Sequence, residues 1–327
     1  MSMEHTKLNR QRSGQYRKSA DREAFLDQFN SALQPFEQQE YADIPPSHPF
    51  LFVIGLPRSG TTLLSQLLVH CLDVGYINNL AARFWRAPVT GIRFADSVLE
   101  TGRFQAFQSH YGATQELADI HEFGYFWREW LKKDSFKNIK NARAIEDQID
   151  WGGLRKALAN MQAQFNRPMV FKNIFGSYHI PKLNNVLEQT LWIYIERDPL
   201  DTAVSILEAR RKYYDDPNNW WSYVPPQYEQ IIDKDYWHQI AGQIHYLKKF
   251  YHQELEDMED SGRGLSFSYD KLCSNPAGLL EAVTDRVRKL YGVEIPITQK
   301  PPSRFEYSSY KDSTEEKQRF KQILERF

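Results

Sequence analysis

Arg58, Ser59, Gly60, Thr61 and Thr62 follow one another in the stretch LFVIGLPRSGTTLLSQLL, which begins at Leu51. Gly55 and Gly60 have the spacing of the phosphate loop G-x-x-x-x-G-K-[ST], but Thr61 stands where that loop has its lysine. Glycines let a chain turn tightly and let backbone approach a ligand closely. The N–H groups that open the following helix point at a bound anion, and the helix dipole adds to the attraction. Thr61 and Thr62 add hydroxyl donors, and the Arg58 guanidinium can fork onto two phosphate oxygens. In triphosphate enzymes the missing lysine reaches the β- and γ-phosphates. Without it the loop suits a ligand with a single 5′-phosphate-linked leaving group better than a triphosphate. The plainer alternative is a glycine turn between a strand and a core helix.

A second anion grip is readable in IERDPLDTAVSILEARR. Arg197 ends an apolar run, at the point where parallel sheets place ligand groups. Ser205 falls on the helix that follows, on one stripe with Asp201. Taken alone, the two are also a surface arginine and a helix-face serine. A general base is sought in DIHEFGYFW, where His121 and Glu122 adjoin among aromatic residues that could shift both pKa values. The plainer reading is a hydrogen-bonded histidine and a helix-cap glutamate. His179 and His110 are outside candidates. No metal-ligand pattern is visible.

These residues need elements to hold them. LFVIGL is a continuous apolar run of strand length, as expected for a strand covered on both faces. Leu63, Leu64, Leu67, Leu68, Cys71 and Leu72 make one helical stripe after the glycine turn. RPMVFKN, LWIYIE and GLSFSY read as further strands, and IPKLNNVLEQ as a helix. Asp198 and Pro199 supply a cap and first-turn proline for the helix through about Tyr214. A helix from about Asp235 to Met258, a capped helix in NPAGLLEAVTDRVRKLYG and a last helix in the tail complete the pattern. A leading helix containing Ala24, Phe25, Phe29 and Leu33 is expected to end near Pro35. Strands alternating with helices imply a parallel sheet: a three-layer, P-loop-like α/β fold with helices on both faces. Residues 1–20 are expected to be a flexible basic arm, and residues 21–327 a single domain with helical, aromatic-rich insertions.

The chain has 327 residues and a formal net charge of −1, with no apolar run long enough to cross a bilayer. This argues against a nucleic-acid partner or an integral membrane segment. Two cysteines, Cys71 and Cys273, make neither a disulfide framework nor a metal set. They fit inert thiols in the cytoplasm, the expected location.

GLPRSGTTLL resembles the 5′-phosphosulfate loop of sulfotransferases that use 3′-phosphoadenosine 5′-phosphosulfate (PAPS). Arg197 and Ser205 resemble the arginine and serine, eight residues apart, with which that family binds the 3′-phosphate. The likeness implies PAPS as co-substrate, no required metal, and Arg58, Ser59, Gly60, Thr61, Thr62, Arg197 and Ser205 as its contacts. It implies Lys172, in VFKNIF, beside the transferring group, although a strand-end lysine can also snorkel to solvent. SYDKLCSNP is similar to the family's Y-x-x-L segment and implies Tyr269 near the adenine. Arg210 lies one position from a further phosphate contact in some relatives, and Lys300 or Arg304 are candidates to close over the 3′-phosphate. The chain departs from the family in having Ile174 where cytosolic members have a histidine. It has Asn78 and Asn79 where tyrosylprotein-type enzymes have a glutamate.

The expected reaction is in-line transfer of a sulfuryl group to a hydroxyl of a carbohydrate or small metabolite. By analogy with phosphoryl transfer, the protein mainly positions and neutralises. Arg58 and Lys172 would meet the developing charge, and Glu122 or His121 the proton. Tyr213, Tyr214, Trp220, Trp221, Tyr223 and Tyr228 could line an acceptor pocket, pack a loop or form a homodimer contact. Two alternatives stay open: a P-loop kinase or nucleotide hydrolase, and a non-catalytic nucleotide-binding protein.

Overall fold

The computed structural model describes residues 9–99, 107, 114, 116–133, 139, 141–311 and 314–327. In chain order the helices and strands that matter here are α1 (Ala20–Glu40), β1 (Phe50–Gly55), α2 (Thr61–Cys71), β2 (Gly75–Tyr76), α3 (Pro88–Val98) and α4 (Gly124–Trp130). There follow α5 (Trp151–Phe165), β3 (Met169–Lys172), α6 (Ile180–Leu187), β4 (Thr190–Glu196) and α7 (Pro199–Tyr214). The chain ends with α8 (Tyr236–Asp260), β5 (Gly264–Ser268), α9 (Tyr269–Ser274), α10 (Pro276–Tyr291) and α11 (Glu315–Leu324).

All five strands are parallel, in the order β2-β3-β1-β4-β5. β1 is buried at every position and divides its side chains between two cores. Phe50, Phe52 and Ile54 join one, and Leu51 and Val53 the other, with Leu64, Leu67 and Leu68 of α2. β4 does the same, with Trp192 and Tyr194 on one side and Leu191, Ile193 and Ile195 on the other. This is the three-layer α/β architecture that continuous apolar runs require. From β1 the chain passes to the β2 edge, returns through β3, and then crosses to β4. The winding therefore reverses beside β1, and the carboxyl ends of β3, β1 and β4 lie side by side at that switch point, where α/β folds bind ligands.

Three expectations change in detail. α1 runs through Pro35 to Glu40 instead of ending there. Its anchors are polar: Asn30 donates to the carbonyls of Leu26 and Arg83, and the Glu37 carboxylate accepts the N–H groups of Val89 and Thr90. Phe25, read as part of an apolar stripe, is 64% exposed. GLSFSY is a strand only to Ser268, whose hydroxyl caps α9, so Tyr269 opens a helix. The short strand β2 was not anticipated; two residues carry too little pattern to read. The described part of the basic N-terminal stretch is seated on the body, with the Ser13 N–H bonded to the Tyr213 carbonyl.

Candidate active site

The turn after β1 takes the shape its glycines allow. Gly60 caps α2 at φ +103°. A Cβ there would come 2.6 Å from the Tyr269 ring, so this glycine admits both the backbone conformation and the close approach of α9. Arg58 is left-handed at φ +69° without being glycine. Its Nε donates to the Ser205 hydroxyl at 2.9 Å, which places the first grip against the second. Ser59 has another job: it is fully buried against Gly55, and its N–H is donated to the Leu56 carbonyl. Its hydroxyl is buried without a hydrogen-bond partner.

Arg197, at the end of β4, is 7% exposed. Its guanidinium donates to the Arg58 carbonyl at 3.2 Å and the Ser308 carbonyl at 2.5 Å, and lies 4.9 Å from the Tyr269 ring centre. Its buried Nε has no hydrogen-bond partner. Buried guanidinium N–H groups are costly to leave unmade, so an acceptor from a ligand suits this position. Burial pushes the Tyr269 hydroxyl up to about 12, so it stays a neutral donor.

Lys172, the last residue of β3, is 5% exposed and does not snorkel. Its ammonium donates to the Thr62 hydroxyl at 2.7 Å and pairs with the Glu122 carboxylate at 2.7 Å. The Glu122 side chain is 42% exposed, so one end of this ion pair is buried and the other open. Phe123 is left-handed at φ +52° and fully packed, which turns the chain sharply between Glu122 and α4. The segment is latched from behind. Asp119 accepts from Gln66 of α2 at 2.7 Å and from the Ile120 N–H at 2.7 Å. The His121 N–H reaches the Ile77 carbonyl at 2.9 Å.

His121 and Glu122 now separate. The His121 Nδ1 accepts the Phe123 N–H at 2.8 Å, and burial pushes its pKa down to about 4. Its lone pair is engaged and its ring is neutral at ordinary pH. Glu122 is the carboxylate that touches the lysine. Asn78 and Asn79 hold loops: Asn78 accepts the Leu80 and Ala81 N–H groups, and Asn79 donates to Thr114 and the Glu116 carbonyl.

The remaining candidates lie elsewhere. His179 is fully buried and paired with Glu146 at 2.7 Å; His110 lies outside the described residues. Arg210 is fully buried, bound to the Pro217 carbonyl and to Gln239, and faces the Trp220 ring at 5.0 Å. It organises the aromatic loop. Tyr214, Trp220 and Tyr223 are buried there, while Tyr213 and Trp221 are partly open. Lys300 and Arg304 are exposed. The tail instead meets the second grip through the Ser308 carbonyl and through Tyr307, whose ring centre is 5.4 Å from that of Tyr269. Backbone contacts of this kind leave no residue-type signal in a sequence. Among the described residues, no group of three metal-ligating side chains is gathered.

A family model described as "Sulfotransferase family" matches residues 49–288, more than half of the chain. No curated protein matches. Among solved structures, sulfotransferase STF9 from Mycobacterium avium is similar at a TM-score of 0.51 and 15% identity, over 90% of this chain and 72% of that one. Sulfotransferase STF1 from Mycobacterium tuberculosis H37Rv is similar at a TM-score of 0.45 and 16% identity, over 80% of this chain and 72% of that one. At such identities likeness speaks to the fold alone, and the STF9 comparison carries it.

Proposed function

The chain belongs to the sulfotransferase family, and from that premise we propose that it moves the sulfuryl group of PAPS to a hydroxyl of a carbohydrate or small metabolite. One observation carries the reading: Lys172 touches Thr62 of the glycine loop on one side and Glu122 on the other. A single buried cation thus joins an anion-binding loop to a half-open carboxylate, which is the arrangement that transfer from a phosphate-linked donor to a hydroxyl calls for.

The residues present fit the donor. The Arg197 Nε, buried beside the glycine loop, lacks an acceptor, and the N–H groups that open α2 follow directly on Gly60. Thr61, Thr62 and the first N–H groups of α2 would hold the 5′-phosphate, and Arg197 with Ser205 the 3′-phosphate. Tyr269, which covers Gly60 and faces Arg197, would lie beside the nucleoside. Bound PAPS supplies a sulfuryl group on a phosphate leaving group. Arg58 and Lys172 would neutralise charge that develops as the sulfuryl group leaves its phosphate. Glu122 takes the proton of the acceptor hydroxyl as its oxygen attacks. The free thiols Cys71 and Cys273, both buried, fit a reducing compartment and hence the cytoplasm.

Calorimetry with 3′-phosphoadenosine 5′-phosphate and with ATP–magnesium tests the reading. The bisphosphate is expected to bind the wild type in preference to ATP–magnesium. Arg197→Ala combined with Ser205→Ala is expected to weaken its affinity by about a hundredfold or more, the scale of lost charge-assisted hydrogen bonds. Equal affinity in wild type and variant would refute the site. A preference for ATP–magnesium would favour the kinase or hydrolase. Tight bisphosphate binding, with no labelled sulfate transferred to any of a broad panel of hydroxylated acceptors, would favour a non-catalytic binding protein.

A further inference from the structure

The N-terminal segment 9–18 is a closed loop. Asn9 pairs through its side chain with both the N–H and the carbonyl of Lys18, at 2.9 Å each. Arg17 reaches back to the carbonyls of Arg10 and Arg12. The loop is moored at two places. At one, Ser13 bonds the carbonyls of Lys212 and Tyr213 at 2.8 Å each, and Tyr16 stacks on Tyr213 with ring centres 4.1 Å apart. At the other, Lys18 lies 4.3 Å from the Tyr125 ring centre and pairs with Glu23 at 3.6 Å. The first mooring is the end of α7, the helix that bears Ser205. The second, at Tyr125, is the first turn of α4, three residues after Glu122. The loop therefore bridges α7, which bears Ser205, and α4, which follows Glu122.

Its charge is unbalanced. Around Tyr125, the cations Arg12, Lys18 and Arg128 are set against the carboxylate of Glu23. Lys18 is occupied by Glu23, and the Arg128 guanidinium faces the Tyr125 ring at 4.7 Å. The buried Nε of Arg12 has no hydrogen-bond partner. Tyr213, half-buried and stacked on Tyr16 of the same segment, lies within electrostatic reach of Arg12, of Glu122 and of Arg58. A guanidinium with an unmade N–H, on a segment that packs against the Tyr213 and Tyr125 rings, is suited to a ring-bearing acceptor with an acidic group.

We propose that segment 9–18 is the acceptor-side wall of the site, and that Arg12 makes the enzyme select hydroxyl acceptors that also carry a carboxylate or similar acid. This rests on the sulfotransferase reading above and names its substrate class. The test uses matched acceptors, para-hydroxyphenylacetate against its neutral amide and glucuronate against glucose, with the full-length wild type, Arg12→Ala and Arg12→Lys. In the wild type the acid of at least one pair is expected to exceed its neutral partner in kcat/KM by about tenfold. Arg12→Ala is expected to erase that preference by raising KM for the acid, with the neutral partner and the affinity for 3′-phosphoadenosine 5′-phosphate within about twofold of wild type; Arg12→Lys should restore part of it. Absence of a preference in the wild type, or an equal loss on both members of each pair in Arg12→Ala, overturns the proposal. If no acceptor turns over, binding of the acids is followed by tryptophan fluorescence. Acid binding that depends on Arg12 sustains the proposal even where the bisphosphate fails to bind, a failure that counts against the reaction alone. Acid binding that is absent, or unchanged in Arg12→Ala, rejects it.

Discussion

Lys172 illustrates how little a residue's identity says until its neighbours are placed. A strand-end lysine usually reaches solvent along its stem, yet this one is buried between the Thr62 hydroxyl and the Glu122 carboxylate. Arg58 and Phe123, beside these groups, both adopt left-handed backbone. Such conformations cost about 1–3 kcal/mol and persist where packing over-determines them; Phe123, stacked on Phe126 at 4.7 Å, is held in that way. The choice of Glu122 as the proposed base rests on the same local geometry. Glu122→Gln keeps the shape but cannot accept a proton, so kcat should fall by about 10²–10⁴-fold, with affinity for 3′-phosphoadenosine 5′-phosphate retained. His121→Gln should cost far less. Because burial holds His121 near pKa 4, the wild-type pH–rate profile should show no limb near the ordinary histidine value of about 6.5. Steady-state kinetics and calorimetry on the two variants check this; a His121→Gln defect as deep as that of Glu122→Gln would reverse the assignment. The sequence placed both candidates side by side but could not rank them, since adjacent residues differ only in where the turn at Phe123 points them.

At the level of elements, the site depends on how α2 supports a segment remote from it in the chain. Gln66 of α2 holds Asp119, Asp119 holds the Ile120 N–H, and Glu122 stands two residues on. Asp119 is 3% exposed and also lies 3.5 Å from His70. It touches none of the proposed ligands, so it is a positioning residue. Asp119→Ala should lower kcat by about a hundredfold through displacement of Glu122, as small misplacements at a reacting centre do, while leaving bisphosphate affinity within about threefold. Asp119→Asn, which still accepts one of the two hydrogen bonds, should recover part of the rate. Loss of bisphosphate binding in step with kcat would show instead that the latch supports the glycine loop. None of this was legible beforehand, because a side-chain bridge between α2 and a distant segment has no periodicity. What was legible were β1, β3 and β4 as apolar runs and the capped helices α7, α8 and α10, whose signals are local. Pro35 misled for a related reason: its local effect is overridden by the anchors of Asn30 and Glu37.

For the molecule as a whole, the order β2-β3-β1-β4-β5 brings Lys172, the glycine loop and Arg197 to one edge of the sheet. The carboxyl-terminal tail then closes over the second grip. Sequence showed the grips, since residue types at strand ends are readable, but not the closure, which uses the carbonyl of Ser308 and the fold-back of α11. That fold-back is fixed by charge. The Lys317 ammonium, 7% exposed, donates to the Asp201 carboxylate at 2.8 Å and to the Tyr310 carbonyl at 3.0 Å. Asp201 also accepts the Tyr310 N–H at 3.1 Å, and the Tyr310 hydroxyl donates to Glu208 of the same helix. Asp201 lies one helical turn before Ser205 on α7, so the pair ties the tail to the helix that bears the proposed 3′-phosphate contact. Removing one member leaves the other buried without its counter-charge, a loss of about 3–5 kcal/mol. Lys317→Met should therefore lower Tm by several degrees and weaken the binding of 3′-phosphoadenosine 5′-phosphate. Adding Asp201→Asn, which withdraws the stranded charge, should restore much of the Tm but less of the affinity. Thermal melts and calorimetry on the single and double variants separate the two effects, and wild-type affinity in Lys317→Met would mean that the tail stabilises the fold without shaping the site.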